Sequence, residues 1–168
     1  VQTCALPISI SNLLLEPLQL QPALGDGEVR LRVHAVGLNF RDVLNVLGEY
    51  PGDPGPPGGD AAGIVGDASS APRGAGDAVF GLADAPLACV ARAPSLLLTP
   101  KPTTLSFEQS CTLPVTWSAV HVALEQAGLC AGRGLIVQAA AGGVGLKAIE
   151  YAQWLSAHVV GTAGRPHK

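Results

Sequence analysis

Between residues 135 and 150 the sequence reads LIVQAAAGGVGLKAIE, and no other stretch narrows the choice of fold as far. An apolar run (Leu135, Ile136, Val137) passes through Ala139, Ala140 and Ala141 into Gly142, Gly143 and Gly145. Leu146, Ile149, Ala152 and Leu155 then recur at helical spacing. Strand, glycine turn and helix in that order form the device by which a doubly wound fold seats a dinucleotide pyrophosphate. The glycines let the backbone approach phosphate oxygens, and the new helix offers unpaired N–H groups at its positive end. The pattern is Ala-x-x-Gly-x-x-Gly, a variant of the commoner Gly-x-Gly-x-x-Gly. A second apolar strand is predicted at 158–162. One such unit cannot bury both faces of a parallel sheet, so the chain is expected to be a fragment of a larger fold.

The first hundred residues have a different texture. Residues 28–35 alternate cleanly, with Val29, Leu31, Val33 and Ala35 on one face and Arg30, Arg32 and His34 on the other, which predicts a half-buried strand. His34 falls on the polar side and reads as solvated. Asn39, Phe40, Arg41 and Asp42 lead into a short helical pattern ended by Gly48. A Gly/Pro-rich loop follows, GEYPGDPGPPGGD. Further strands are predicted at 62–65, 78–82 and 87–91, with turns every ten or so residues, the pattern of a small β-barrel. From Thr103 the helix signals return. Ser106 and Gln109 make a capping box, with helix continuing to Thr112. Pro114 interrupts, and a second helix is predicted from about Thr116 to Ala127, with Gly128 as its stop.

Composition excludes several classes. Apolar residues make up 48% of the 168, which suits a globular chain and not a disordered one. Net charge is −3 with ten scattered Lys and Arg, against a nucleic-acid binder. No apolar run approaches the roughly 20 residues that cross a bilayer, so no membrane partner is expected. Residues 1–8 read as the in-frame translation of a sequencing adapter and are set apart from the fold. Cys89, Cys111 and Cys130 show neither C-x-x-C spacing nor an even number, so buried, reduced thiols are expected rather than zinc or disulfides.

The segments VGLNFRDVLNVLGEYPGD, GGDAAGIV, GDAVFGL, LSFEQSCTLPVTW and AAAGGVGLKA, in this order, resemble the enoyl reductase domains of modular type I polyketide synthases. These form part of the zinc-independent branch of the medium-chain dehydrogenase/reductase family, together with quinone reductases. The resemblance implies an α/β fold: a GroES-like β-barrel module (9–112) followed by the beginning of a Rossmann-type nucleotide-binding domain (113–168), truncated. It implies NADPH as cofactor, with Ala140, Gly142, Gly143, Val144 and Gly145 lining the pyrophosphate. Thr116 matches a position near the nicotinamide, with a helix N-cap as the alternative. The second strand ends on Arg165, His167 and Lys168 without an acid. Arg165 and Lys168 would suit a 2′-phosphate.

The same resemblance points to Asn39 for a polar contact to substrate or nicotinamide. It points to Tyr50 as the group associated with protonation at the α-carbon, with an ordinary surface tyrosine as the alternative. Arg41 and Asp42 are expected to pair and fix the loop. Asp60 stands where zinc alcohol dehydrogenases carry a His-Glu pair, and three zinc ligands cannot be assembled, so no metal is expected. The implied reaction is NADPH-dependent reduction of an α,β-unsaturated acyl thioester on an acyl carrier protein, in the cytoplasm, beside other synthase domains in cis, with a homodimer left open. The implied fragment is expected to be inactive alone. A stand-alone quinone or enone oxidoreductase and a non-catalytic relic are the rival readings.

Overall fold

A computed structural model of the chain describes residues 17, 23–53, 55–69 and 72–164. The adapter-like residues 1–8, and with them Arg165, His167 and Lys168, lie outside the described residues. Two compact units divide the chain, Val1–Pro114 and Val115–Lys168. No described helix is long and apolar enough to cross a membrane.

In the first unit, strands β1 (Glu28–Gly37), β2 (Asp60–Ala68), β3 (Ala78–Leu82), β4 (Val90–Pro94) and β5 (Leu98–Pro100) form one antiparallel sheet in the order β4-β1-β2-β3-β5. The alternation of β1 is the one its sequence predicts: Val29 and Leu31 are fully buried, while Arg32 and His34 face out. His34 stacks on Phe107 at 4.5 Å between ring centroids. Val29, Leu31, Val65, Val79, Ala91, Ala93 and Leu98 build the core. Each Val or Leu so buried contributes about 1.5–3 kcal/mol. Beyond β3, Asp84 bridges to Arg92 of β4, at the opposite side of the strand order, so the sheet curls back toward itself.

The strand predicted at 87–91 begins later, at Val90. Ala85 adopts a left-handed turn (φ 47°), Pro86 is buried, and the ladder with β1 starts where Val90 faces Arg32. Pairing with β1, rather than the apolar run, sets that boundary.

Helix α1 (Phe40–Val46) follows β1, and α2 (Phe107–Ser110) follows β5. The capping box of α2 is formed: Gln109 N–H donates to Ser106 Oγ (3.1 Å) and Ser106 N–H to Gln109 Oε1 (2.9 Å). The helix stops at Ser110 rather than Thr112, because Thr112 and Leu113 bond back three residues and the chain must leave helical geometry before Pro114. Pro114 then opens α3 (Pro114–Gln126) instead of merely interrupting. Proline suits a first helical position, where its missing N–H has no partner to lose. Gly128 ends this helix with φ 62°.

In the second unit, β6 (Gly134–Val137) and β7 (His158–Gly161) pair in parallel, Leu135 facing Val159, with α4 (Gly143–Trp154) as the crossover. Ile136 and Val160 are exposed.

Candidate active-site elements

Each unit contributes one group of residues. In the first, the end of β1 runs so tightly against the chain leaving α2 and the start of β2 that only glycine fits at 37. A Cβ there would stand 2.1 Å from the Cys111 carbonyl oxygen and 2.8 Å from Asp60 Cβ. Asn39 comes next, as N-cap of α1, half-buried. Its Nδ2 donates to Asp60 Oδ2 at 2.9 Å. Asp60 is buried, and a buried carboxylate needs such donors to stay charged. Burial, with the negative charge of Asp60 adding to it, pushes the nearby Cys111 thiol upward. That thiol donates to the Glu108 carbonyl at 3.2 Å.

Helix α1 is inverted relative to the usual surface helix. Asp42 and Asn45 are buried (5% and 4% exposed), while Phe40 and Val43 face out. Asp42 Oδ2 accepts from Asn39 N–H and its Oδ1 from Gly58 N–H, both at 2.8 Å. Asn45 Nδ2 donates to the Gly55 carbonyl at 2.9 Å. The Arg41 guanidinium lies 5.9 Å from the centre of the Tyr50 ring, and Tyr50 is half-buried. Asp42 thus fixes the loop through backbone donors. Asn45 escaped sequence reasoning. Its one legible signal is the three-residue spacing from Asp42, which puts two polar side chains on one helical face.

In the second unit the glycine turn sits between β6 and α4. Ala140 is buried, and its N–H donates to the Thr162 carbonyl (2.9 Å), which stitches the turn to the end of β7. Gly142 is the N-cap of α4 and supplies no side-chain cap. Gly143 and Val144 are exposed. A Cβ on Gly145 would lie 2.5 Å from the Ala139 carbonyl oxygen, so that glycine serves the packing of the helix against the turn. A Cβ on Gly143 would meet nothing within 4 Å. The space beside it is open, as the close approach of a phosphate to first-turn N–H groups requires. The residues present therefore fit a dinucleotide. Thr116 is half-buried within the first turn of α3, after Pro114, so it is not the N-cap. Among the described residues no group of three or more His, Cys, Asp or Glu could hold a metal ion.

Comparison with known proteins bears on this geometry. Residues 25–96 match the alcohol dehydrogenase GroES-like domain. The spectinabilin polyketide synthase system protein NorB of Streptomyces orinoci is 42% identical over 159 residues, 92% of this chain and 7% of that protein. The crystal structure of CurK enoyl reductase superposes with a TM-score of 0.87 at 32% identity, over 95% of this chain and 52% of that one. The chain carries an alcohol dehydrogenase GroES-like domain and is similar over nearly its whole length to reductases of the medium-chain dehydrogenase/reductase family. Its likeness to polyketide synthase enoyl reductases, read from the motifs, is met in these matches, and further curated relatives are also polyketide synthases. A quinone oxidoreductase is near as well. The quinone oxidoreductase of Thermus thermophilus, solved also in complex with NADPH, superposes with a TM-score of 0.77 at 33% identity over 96% of this chain and 53% of that one. The chain thus spans about half the length of these solved reductases and less than a tenth of the synthase protein.

Proposed function

We propose that the chain supplies the substrate-side module (9–112) and the opening of the nucleotide-binding domain (113–168) of an NADPH-dependent enoyl reductase, acting on an α,β-unsaturated acyl thioester carried by an acyl carrier protein. The carrying observation is the uncapped start of α4, where Gly143 leaves open the space that a phosphate would fill. NADPH supplies a hydride to the β-carbon of the substrate. The chain's own residues do the rest. First-turn N–H groups of α4 receive the pyrophosphate, with Ala140, Gly142, Val144 and Gly145 shaping the approach. Thr116 contributes to the nicotinamide end. Arg165 and Lys168 hold the 2′-phosphate, one by a planar fork and one as a point charge.

Asn39, its carboxamide oriented by Asp60, directs its remaining N–H at the thioester oxygen, where negative charge develops. The Tyr50 phenol then delivers a proton to the α-carbon and is reprotonated from solvent, which saturates the double bond. The likeness to polyketide synthases supports other domains in cis and an acyl chain held on a carrier. The quinone oxidoreductase likeness supports a second reading, reduction of a free enone with the same cofactor.

The test uses the intact reductase that contains this chain. Tyr50→Phe is assayed with an α-methyl enoyl thioester, and an altered product configuration is expected. An unchanged configuration rejects the role of Tyr50. Absence of any nicotinamide fluorescence change on adding NADPH rejects the reductase reading altogether.

A further inference from the structure

The geometry of α1 points to a role that neither fold nor family assigns: we propose that Asp42 and Asn45 are positioning residues for Tyr50, a proposal that rests on the reading of Tyr50 above. A seven-residue helix on a small domain ordinarily buries its apolar side. This one leaves Phe40 75% and Val43 41% exposed and turns Asp42 and Asn45 inward. Burial of such groups is costly unless each finds a partner, and apart from the Asn39 N–H on Asp42 the partners belong to one segment. The Glu49 N–H donates to the Leu44 carbonyl at 2.8 Å, where the segment leaves the helix. Asn45 Nδ2 holds the Gly55 carbonyl and Asp42 Oδ1 holds the Gly58 N–H.

Three tethers from one helix therefore grip a Gly/Pro segment that has no strand or helix among its described residues. Asp53 stiffens it further by accepting from the Gly55 N–H at 2.9 Å. Tyr50 lies between the first tether and the second. Its ring is already set against Arg41, also on α1. The segment cannot slide along α1 without carrying the phenol with it. Proton delivery to one face of the α-carbon demands that constancy, since a displacement of about 1 Å at a reacting group costs on the order of a hundredfold in rate.

The experiment compares Asn45→Asp with Tyr50→Phe in the intact reductase. Asn45→Asp keeps the size of the side chain but replaces its donor with an acceptor facing the Gly55 carbonyl. The expected result is a fall in kcat on the order of tenfold, the loss that follows when a buried acceptor is left unpaired. The opposite product configuration should appear, KM for NADPH should hold, and amide hydrogen exchange across 49–58 should quicken. If Asn45→Asp does not fold, Asp42→Asn gives the same readouts, because one of its two acceptors survives.

Unchanged exchange in 49–58 overturns the proposal. So does faster exchange with unchanged kcat and configuration, the signature of a purely structural tether. An effective Tyr50→Phe beside a silent Asn45→Asp rejects the positioning alone. A silent Tyr50→Phe rejects the Tyr50 reading, and the positioning with it.

Discussion

Helices α1 and α4 begin in opposite ways. The start of α1 is closed by its own side chains: Asp42 takes the Asn39 N–H, and Asn39 is in turn anchored on Asp60. The start of α4 has glycine at its cap and no side-chain cap hydrogen bond. A helix end left without intramolecular partners must be satisfied from outside, by water or by a ligand. The first helix start therefore serves to hold protein groups in place. The second has the form of a receptor for an anion. The two starts differ in whether a side chain closes them.

The contrast is broken most severely at Gly145. Gly145→Ala drives a Cβ against the Ala139 carbonyl, and overpacking against backbone should cost about 3 kcal/mol, read as a lower Tm by circular dichroism. Next comes the closed start. Asp42→Ala strips the acceptor from two backbone donors and should cost about 2 kcal/mol in denaturant unfolding. Gly143→Ala sharpens the comparison, because it meets no protein atom and should leave stability within about 0.5 kcal/mol. In the intact reductase the same change should weaken NADPH binding on the order of tenfold, since the backbone could no longer approach the pyrophosphate. Equal stability losses for Gly143→Ala and Gly145→Ala would erase the distinction between ligand space and packing space.

The smallest effect is expected away from both helix starts. Arg92, and after it the Gly25 N–H, hold the Glu28 carboxyl below the ordinary carboxylate range. The folded state thus favours the charged form. Its contribution is complete above the ordinary carboxylate range and fades as pH falls through the lowered folded value. Glu28→Gln should flatten the acid limb of a stability-versus-pH curve slightly and leave the contrast between α1 and α4 intact.

How much of this was legible beforehand follows from the range of the interactions. The alternation of β1, the Ser106–Gln109 box, the Gly128 stop and the strand–turn–helix at 134–154 are local, governed by residues within four positions of each other. They read directly. The start of β4 did not, because a strand begins where its partner offers a ladder, and that partner lies some sixty residues away in sequence. The inverted burial of α1 was hidden for the same reason. Val43, Leu44, Val46 and Leu47 look like a core-facing stripe, and nothing within the helix shows that Gly55 and Gly58 will need its polar side instead.

The sequence by itself determined the order of modules, the family and the glycine turn, because periodicity and glycine placement act through neighbouring residues. Only the tertiary structure decided which glycine serves packing and which leaves space. It alone showed that Asp60 holds Asn39 and that the polar face of α1 turns inward. Those outcomes depend on backbone segments meeting across the fold, where a buried donor or carbonyl must find a partner that local sequence does not name.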